Sequence, residues 1–466
     1  ISFVTRNLGP EKWGTLTLFM SIIQLLFSLG INWTSSAVVR FGKEEFFREG
    51  HLRKTFGARS LIVFGIFILL SIFIFLLRKP VANYVGLSEY TFLLIIPMLF
   101  IYSLQEFFVW ILKALGLMKQ FALTLVLRPF VLITFVSLFI FLPISLSVQK
   151  VINFEIISYF AVVISCLFFI KSNYFLPFEK DINQVRRILV YSWPSIFTFL
   201  FGYTSNWMDV FFIKYFMSNY YVGIYQAAYR MMYYISTPLI SIFTLVFPLL
   251  MAIKIKGRND LIEMYIKKLI PQLSFVWNII VSILIAGSGF IIKLIFGESF
   301  TGASLPFMVL LLGVSFQVLS MMYTSIFSIF DWLKYVTFIT FIISLVNFTV
   351  DLMLLPKIGI LGAAIATALS YAISSILYLT LANKLASIRA YKALFFPTLS
   401  VLSFLFCLAT DAIYLRVLFI CFLTVAFALI AKFSKIFSMA DLAMLEKIEM
   451  PPFLSRSIRK VYRILS

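Results

Sequence analysis

Long apolar stretches without a charged residue divide the chain into segments. Leu61–Leu77, Leu269–Ile292 and Leu305–Phe330 contain no Asp, Glu, Lys or Arg over 17, 24 and 26 residues. About 20 apolar residues in a helix are enough to cross a bilayer. The hydropathy pattern predicts thirteen complete membrane spans, near residues 14–39, 60–77, 90–112, 121–142, 154–170, 188–216, 222–253, 269–292, 304–330, 336–355, 362–382, 393–410 and 413–431.

The first eight residues continue this pattern. They are mostly apolar, and the sequence begins with Ile1 rather than Met. We therefore expect residues 1–8 to be the tail of one more span whose beginning is missing. Restoring that span gives about 14 transmembrane helices, the first one truncated. The predicted fold class is an all-α polytopic membrane protein.

The composition supports this fold class and excludes others. Of the 466 residues, 62% are hydrophobic and 12% are charged, whereas soluble domains are roughly half apolar and about a quarter charged. The 55 phenylalanines have no place on a solvated surface. A soluble enzyme, a nucleic-acid-binding domain and a disordered chain are therefore excluded.

The chain has a net charge of +20, and its basic residues are distributed unequally between the two sides of the membrane. If the segment 40–59 faces the cytoplasm and the spans alternate from there, the inner segments hold 28 Lys and Arg and the outer segments hold 8. Cytoplasmic loops are enriched in Lys and Arg. This asymmetry predicts that both termini are cytoplasmic and removes the reason to expect a nucleic-acid partner.

Residues for metal, cofactor or nucleophilic chemistry are sparse. Cys166, Cys407 and Cys421 lie in apolar runs, where we expect them to pack without forming disulfides. The single histidine, His51, lies in a basic segment, and we predict no role for it. The sequence contains no P-loop motif and no Cys/His metal spacing. We predict no cofactor, no metal, no catalytic residue and no enzymatic activity.

Two halves of the chain resemble each other weakly. Leu8–Leu16 aligns with Met217–Tyr225, which places Gly14 over Gly223, and each copy leads into an apolar span and a basic inner segment. Six spans separate the copies, so the halves are parallel, as in one common transporter plan. The predicted domains are two pseudo-symmetric lobes at 1–187 and 188–392, two additional helices at 393–431, and a basic cytoplasmic tail at 432–466.

The tail is predicted to contain two short helices. They cover residues 438–449 and 453–465, with a break at Pro451–Pro452. One face of the second helix is basic, with Arg456, Arg459, Lys460 and Arg463 at i, i+3, i+4 and i+7. Such a face is suited to anionic lipid headgroups, although a solvated tail explains it equally well.

Three segments resemble one transporter family. Thr5-Arg-Asn-Leu-Gly-Pro-Glu-Lys-Trp-Gly14 resembles the end of the first helix in bacterial polysaccharide repeat-unit flippases, with the pattern aRxLGPexyG. Residues 209–215, followed by Val222-Gly-Ile-Tyr-Gln-Ala-Ala-Tyr-Arg230, are similar to the seventh helix and the vGxYxxAxr turn of that family. Leu355-Pro-Lys-Ile-Gly-Ile-Leu-Gly-Ala-Ala-Ile-Ala-Thr367 is similar to its iPxxGixGaAxAt segment. These flippases belong to the multidrug/oligosaccharidyl-lipid/polysaccharide exporter superfamily.

The resemblance implies a transporter in the bacterial inner membrane. Its substrate would be a polyprenyl-diphosphate-linked oligosaccharide, such as an O-antigen repeat unit, moved to the outer leaflet by alternating access. The partners implied are membrane lipids, H⁺ or Na⁺ as a coupling ion, and a polysaccharide polymerase with other assembly proteins. A drug exporter or a peptidoglycan-precursor flippase of the same superfamily is the alternative. A membrane polymerase or ligase fits less well, because the outer loops are short.

Charged residues inside the spans are the candidate site residues. A charge at bilayer depth costs on the order of 3 kcal/mol, so each needs an explanation. Guanidinium groups bind phosphate oxygens in pairs, and buried acids can balance them or carry a coupling ion. We predict three substrate-binding residues and three coupling or counter-charge residues: Arg6, Arg128 and Arg230, and Glu106, Asp209 and Asp351. Packing of these charges against each other is the structural alternative.

Overall fold

The described part of the chain is mainly helical. The computed structural model describes residues 2–141, 146–386, 391–434, 436 and 437, and it contains no β-strand in these ranges. The α-helices are α1 (Ser2–Gly30), α2 (Ser35–Glu49), α3 (Arg53–Leu76), α4 (Arg78–Val85), α5 (Glu89–Leu93), α6 (Ile95–Ala114), α7 (Met118–Phe141), α8 (Val148–Phe169), α9 (Ile182–Ser192), α10 (Ser195–Phe216), α11 (Asn219–Ile255), α12 (Asn259–Met264), α13 (Ile270–Ala286), α14 (Ser288–Phe296), α15 (Ser304–Ile329), α16 (Leu333–Ile358), α17 (Ile360–Ala386), α18 (Pro397–Ala409) and α19 (Ile413–Phe433).

Within the described ranges, 12 helical segments are long and apolar enough to cross a membrane. The predicted spans at 304–330 and 336–355 correspond closely to α15 and α16. Helix α10 has 22 residues but is not among the 12. The prediction of an all-helical multi-pass membrane protein is confirmed, whereas the total of about 14 spans stays a prediction.

The amino-terminal helices differ in their boundaries from the predicted span at 14–39. Helix α1 begins at Ser2 and contains a kink at Gly9, where φ is 73° and ψ is 171°. A non-glycine residue rarely adopts that φ, and Pro10 then starts the second, longer part of the helix. After a short break, α2 extends to Glu49 through a segment predicted as a loop. Because α2 is amphipathic rather than wholly apolar, hydropathy alone missed it.

The chain forms two compact units, residues 1–226 and 227–466. We call them unit 1 and unit 2. The finer predicted division, at residues 187, 392 and 431, stays a prediction. The two helices predicted in the basic tail fall at 438–449 and 453–465, which lie outside the described residues.

In unit 1, α1 is packed against α6, α8 and α10. Its Phe19 and Phe27 are fully buried, and the Phe27 ring lies 4.4 Å from the ring of Tyr102 on α6. On the other side, Tyr203 of α10 donates to the carbonyl oxygen of Ser21 over 2.9 Å. Helix α1 therefore occupies the middle of unit 1.

In unit 2, α15 is the most deeply buried membrane helix. Gly313 lets α17 approach so closely that a Cβ atom there would lie 2.8 Å from Ala368 Cα. On the side of α13, Asn278 donates to the carbonyl oxygen of Ser315 over 3.3 Å and accepts from Ser400 of α18 over 2.7 Å. Small residues and hydrogen-bonded polar residues hold helices together where hydrophobicity cannot distinguish protein from lipid.

Candidate functional site

An ion pair in unit 1 joins two neighbouring helices. Nη2 of Arg128 on α7 donates to Oε2 of Glu155 on α8 over 2.8 Å. The same guanidinium lies over the ring of Tyr159, with Cζ 4.2 Å from the ring centroid. Glu155 and Tyr159 are one helical turn apart, so α8 presents a carboxylate and an aromatic face to one arginine. Two different contacts therefore hold Arg128.

Aromatic and amide side chains extend this arrangement across four helices. Tyr102 on α6 has its ring 5.0 Å from that of Tyr159. Its hydroxyl donates to Oε1 of Gln24 on α1 over 3.4 Å, and Nε2 of Gln24 donates to Ser28 over 3.1 Å. The arginine cluster, as we call it, consists of Gln24, Tyr102, Glu106, Arg128, Glu155 and Tyr159.

Glu106 brings a second acid to the arginine cluster. It lies one turn beyond Tyr102 on α6, is half-buried, and accepts from Nε2 of Gln105 over 3.4 Å. Its carboxylate interacts electrostatically with Arg128 and with Lys113. Two of the six predicted residues, Glu106 and Arg128, therefore share one polar region.

Sequence reasoning missed the partner of Arg128. Glu155 is the second residue of the predicted span 154–170, and a charge at the edge of a span needs no explanation. Because α8 begins at Val148, Glu155 instead lies two turns inside the helix. The sequence does contain a signal for this partner. An acid and a tyrosine are one helical turn apart both in Tyr102–Glu106 and in Glu155–Tyr159.

Asp209 makes a contact in unit 1 that does not involve the arginine cluster. Its side chain on α10 is 1% exposed, and Oδ2 accepts a hydrogen bond from the hydroxyl of Tyr225 on α11. Tyr225 is itself fully buried. A buried carboxylate costs free energy unless donors satisfy it, and Tyr225 supplies one such donor.

The other three predicted residues differ in burial. Arg6 is exposed on α1, Arg230 is half-buried on α11, and Asp351 is fully buried on α16. One turn before Asp351, Asn347 is buried as well. The substrate or coupling roles of all six residues stay predictions.

A further buried arginine lies in the segment 40–59, which the sequence predicts to be a cytoplasmic loop. Arg59 lies two turns inside α3, is 2% exposed, and donates from Nη2 to Oγ of Ser35 over 3.0 Å. Val38, Phe56 and Phe107 line the same narrow crevice as Arg59. Helix α3 begins at Arg53, so the last seven residues of the predicted inner segment 40–59 are helical.

Acidic groups near His51 stabilise the start of α3. Oε1 and Oε2 of Glu45 accept from the backbone amides of Lys54 and Thr55, each over 2.8 Å. His51, Glu45 and Glu49 bring candidate metal-ligand atoms within 4.8 Å of one another. The hydrogen bond from Lys54 Nζ, at 2.7 Å, lowers the pKa of Glu49 below its ordinary value. Helix capping and pairing account for these carboxylates, and the absence of a role for His51 stays a prediction.

The amino-terminal part of the chain matches a known family. The sequence model for "polysaccharide biosynthesis protein" matches residues 2–254, more than half of the 466 residues. The chain belongs to this family. It is also 26% identical over 212 residues to the probable low-salt glycan biosynthesis flippase Agl15 of Haloferax volcanii. That alignment covers 45% of this chain and 45% of that protein, so it spans less than half of the relative's length.

Solved structures show the fold that this family member adopts. The lipid II flippase MurJ in an inward closed conformation superposes with a TM-score of 0.71 at 17% identity, covering 92% of this chain and 95% of that chain. An inward-facing multidrug resistance MATE family transporter of the MOP superfamily superposes with a TM-score of 0.67 at 16% identity, covering 83% and 92%. These likenesses show the fold, and the family match confirms the predicted resemblance to proteins of polysaccharide biosynthesis.

Proposed function

We propose that this membrane protein is a transporter that flips a polyprenyl-diphosphate-linked oligosaccharide from the cytoplasmic to the outer leaflet. It would work by alternating access and supply repeat units for a surface polysaccharide. The observation that carries the proposal is the polysaccharide biosynthesis family match over residues 2–254, on a fold similar to that of a lipid flippase. Neither the predicted chemistry nor the fold calls for an enzymatic role.

Arginines are proposed to bind the anionic headgroup. Arg6, Arg128 and Arg230 would contact phosphate oxygens, since guanidinium stays charged at neutral pH and matches phosphate geometry. Arg128 supports this assignment, because its side chain is 40% exposed although it lies within a predicted span. A charge at that depth is costly even when it is paired, as Arg128 is with Glu155.

Acids are proposed to balance these arginines or to carry a coupling ion. Glu106, Asp209 and Asp351 are the candidates, with H⁺ or Na⁺ as the ion. The burial of Asp209 and Asp351 favours a role in which each carboxylate is neutralised by a proton, a cation or a partner.

The same proposal includes the location of the protein, its orientation in the membrane and its partners. We place the protein in a bacterial cell membrane with both termini in the cytoplasm, on the strength of the sorting of Lys and Arg. Membrane lipids surround it, and a polysaccharide polymerase with other assembly proteins would use its product.

A peptidoglycan-precursor flippase is the second candidate. The structural similarity to the lipid II flippase favours it, and its substrate class would present the same diphosphate to the arginines. A cation-coupled drug exporter, the third possibility, is favoured by the similarity to the MATE family transporter.

A deletion of this gene in the native host, complemented by variants, tests the proposal. We expect the deletion to abolish surface polysaccharide and to accumulate the lipid-linked oligosaccharide, measured by glycan blotting and lipid extraction. Arg128→Ala and Arg230→Ala should insert at normal levels but fail to restore export. Arg230→Lys should restore it in part, because an ammonium cannot form the bidentate contact.

Arg258→Ala is the matched control. This arginine is 57% exposed and pairs with Asp260 outside the arginine cluster, so its loss should leave export unchanged. Normal surface polysaccharide in the deletion strain would overturn the proposal. Accumulated peptidoglycan precursor or lost drug resistance would then identify the second or third candidate.

A further inference from the structure

Helices α17 and α18 of unit 2 leave a groove between them. Each packs against α15, whereas within the described ranges the two make no extended contact with each other. Because both rest on α15, that helix forms the back of the gap. The groove has a volume of about 370 Å³ and is lined from within residues 305–316 of α15, 361–372 of α17 and 401–408 of α18. We call it the α17/α18 groove.

The lining of this groove is apolar throughout. Its side chains are Leu, Ile, Val, Phe and Ala, and none of them offers a hydrogen-bond donor or acceptor. Ala368 and Ala372, one turn apart on α17, leave room that a longer side chain would fill. The three helices belong to segments long and apolar enough to cross a membrane, and Leu369 and Leu408 are exposed where they line the groove. Hydrocarbon chains of the bilayer therefore reach it.

The groove runs lengthwise along the helices. Its lining begins at Leu305 on α15 and Leu361 on α17, and it ends at Phe316 and Ala372 on the same two helices. The eleven residue steps in each row correspond to about 16 Å, at a rise of about 1.5 Å per residue. The hydrocarbon core of a bilayer is about 30 Å thick. The groove therefore spans roughly one leaflet.

One end of the groove lies at a membrane surface. Glu298 precedes α15, Lys357 precedes α17 and Asp411 follows α18, and all three charged residues are exposed. Leu305 and Leu408 lie at this end of the lining. The sorting of Lys and Arg predicts that this surface is the outer one. The groove therefore extends from that surface toward the middle of the membrane.

We propose that the α17/α18 groove binds one acyl chain of a phospholipid from this leaflet. An acyl chain runs from its headgroup at the surface to the middle of the bilayer, and the groove has that direction and that length. An unfilled gap would forfeit dispersion contacts of the side chains that line it, and a chain within it joins α17 to α18. The inference does not depend on the proposed function, since it concerns a lipid that stays bound and is not transported.

The apolar lining determines which part of the lipid is recognised. No lining side chain can bind a headgroup through a hydrogen bond or a charge, and the charged residues at the open end are of both signs. Chain length should matter instead, because a chain shorter than the groove buries fewer methylene groups. The chain of a polyprenyl carrier extends beyond one leaflet, so a groove of this length fits an acyl chain better.

Native mass spectrometry of the purified, delipidated full chain in detergent tests this inference. The probes are dipalmitoyl phosphatidylglycerol, dipalmitoyl phosphatidylcholine and dioctanoyl phosphatidylcholine. We expect one dipalmitoyl lipid to remain bound per chain, equally for both headgroups, and the dioctanoyl lipid to bind at least about tenfold more weakly. The bound dipalmitoyl lipid should also raise the melting temperature, because a ligand that binds only the folded state stabilises it.

Variants that fill the groove should exclude the lipid. Ala372→Phe and Val401→Phe place a ring into the groove from α17 and from α18. We expect each to lower the affinity for the dipalmitoyl lipids at least about tenfold and to abolish the rise in melting temperature. Leu402→Phe is the matched control, because Leu402 is the next residue on α18, is exposed and does not line the groove. The melting temperature without lipid verifies that each variant is folded.

The inference is overturned if the wild type retains no dipalmitoyl lipid, or if binding depends on the headgroup rather than on chain length. It is also overturned if both filled variants bind the lipid as well as Leu402→Phe does. Displacement of the dipalmitoyl lipid by an equimolar polyprenyl phosphate would assign the groove to a carrier chain. A dimer that forms on delipidation and dissociates when lipid is added would assign it to a second copy of the protein, and either result contradicts the proposal.

Discussion

Gly14 and Gly223 contact each other's helices in a reciprocal manner. A Cβ atom on Gly14 would overlap the carbonyl oxygen of Asn219, and a Cβ atom on Gly223 would overlap that of Pro10. Asn219 and Pro10 each lie four residues before the glycine of their own helix. The two positions aligned by the weak sequence repeat therefore meet across a local two-fold relationship within unit 1.

This contact predicts that neither glycine tolerates a side chain. A Cβ on Gly14 would also lie 2.9 Å from the amide nitrogen of Gly223, and one on Gly223 would lie 3.1 Å from that of Gly14. We expect Gly14→Ala and Gly223→Ala each to lower the free energy of unfolding by at least about 2 kcal/mol, since backbone atoms must move apart. Thermal unfolding in detergent measures the effect.

Gly65→Ala is the matched control for these substitutions. Gly65 lies inside α3, and no atom lies within 4 Å of its added Cβ. Alanine favours a helix over glycine by about 1 kcal/mol, so this variant should be as stable as the wild type or more so. Unchanged stability in both Gly14→Ala and Gly223→Ala would contradict the contact.

A second prediction concerns the buried pair of Asp209 and Tyr225. Tyr225→Phe removes a donor from the carboxylate, and we expect it to lower the free energy of unfolding by about 1–3 kcal/mol. The loss should be smaller in an Asp209→Asn background, because a neutral amide is less costly to leave unsatisfied. A double-mutant cycle on thermal unfolding measures the coupling.

Tyr215→Phe provides the comparison for the hydroxyl itself. Tyr215 is 74% exposed on the same helix as Asp209, so its hydroxyl should contribute little. An equal loss from Tyr225→Phe in both backgrounds would show that the hydroxyl acts through a group other than Asp209.

A third prediction concerns the carboxylate that caps α3. Because both oxygens of Glu45 accept backbone amides at the helix start, Glu45→Ala should lower the free energy of unfolding by about 1–2 kcal/mol. Glu44→Ala is the control, since Glu44 makes only solvent-exposed pairs, with Arg48 and Arg187, and such pairs contribute little. Equal losses in the two variants, measured by thermal unfolding, would refute the capping role.

A fourth prediction concerns membrane orientation. In a variant without Cys166, Cys407 and Cys421, Asn83→Cys should react with an impermeant thiol reagent in intact cells. Phe47→Cys should react only after permeabilisation, because the segment that contains it is predicted to be cytoplasmic. Both positions are exposed in unit 1, so burial does not limit labelling. Equal labelling in intact cells would reverse or reject the topology.

The membrane helices themselves were predictable from the sequence. The uncharged stretch Leu305–Phe330 became α15, and the alignment of Gly14 with Gly223 identified a real contact. Both follow from local properties of the chain. About 20 apolar residues are stable in a bilayer only as a helix, whatever surrounds them, and a glycine within a repeated pattern marks a close approach wherever its partner lies.

The pairing of charged side chains was decided only by the tertiary structure. Arg128 and Glu155 are 27 residues apart, and their contact depends on how α7 and α8 are rotated about their axes. Burial of Arg59 depends likewise on the approach of another helix, since its guanidinium donates to Ser35 of α2. Hydropathy averages over whole turns and carries no information on rotation. Side-chain packing between helices sets the rotation, and with it which charges meet.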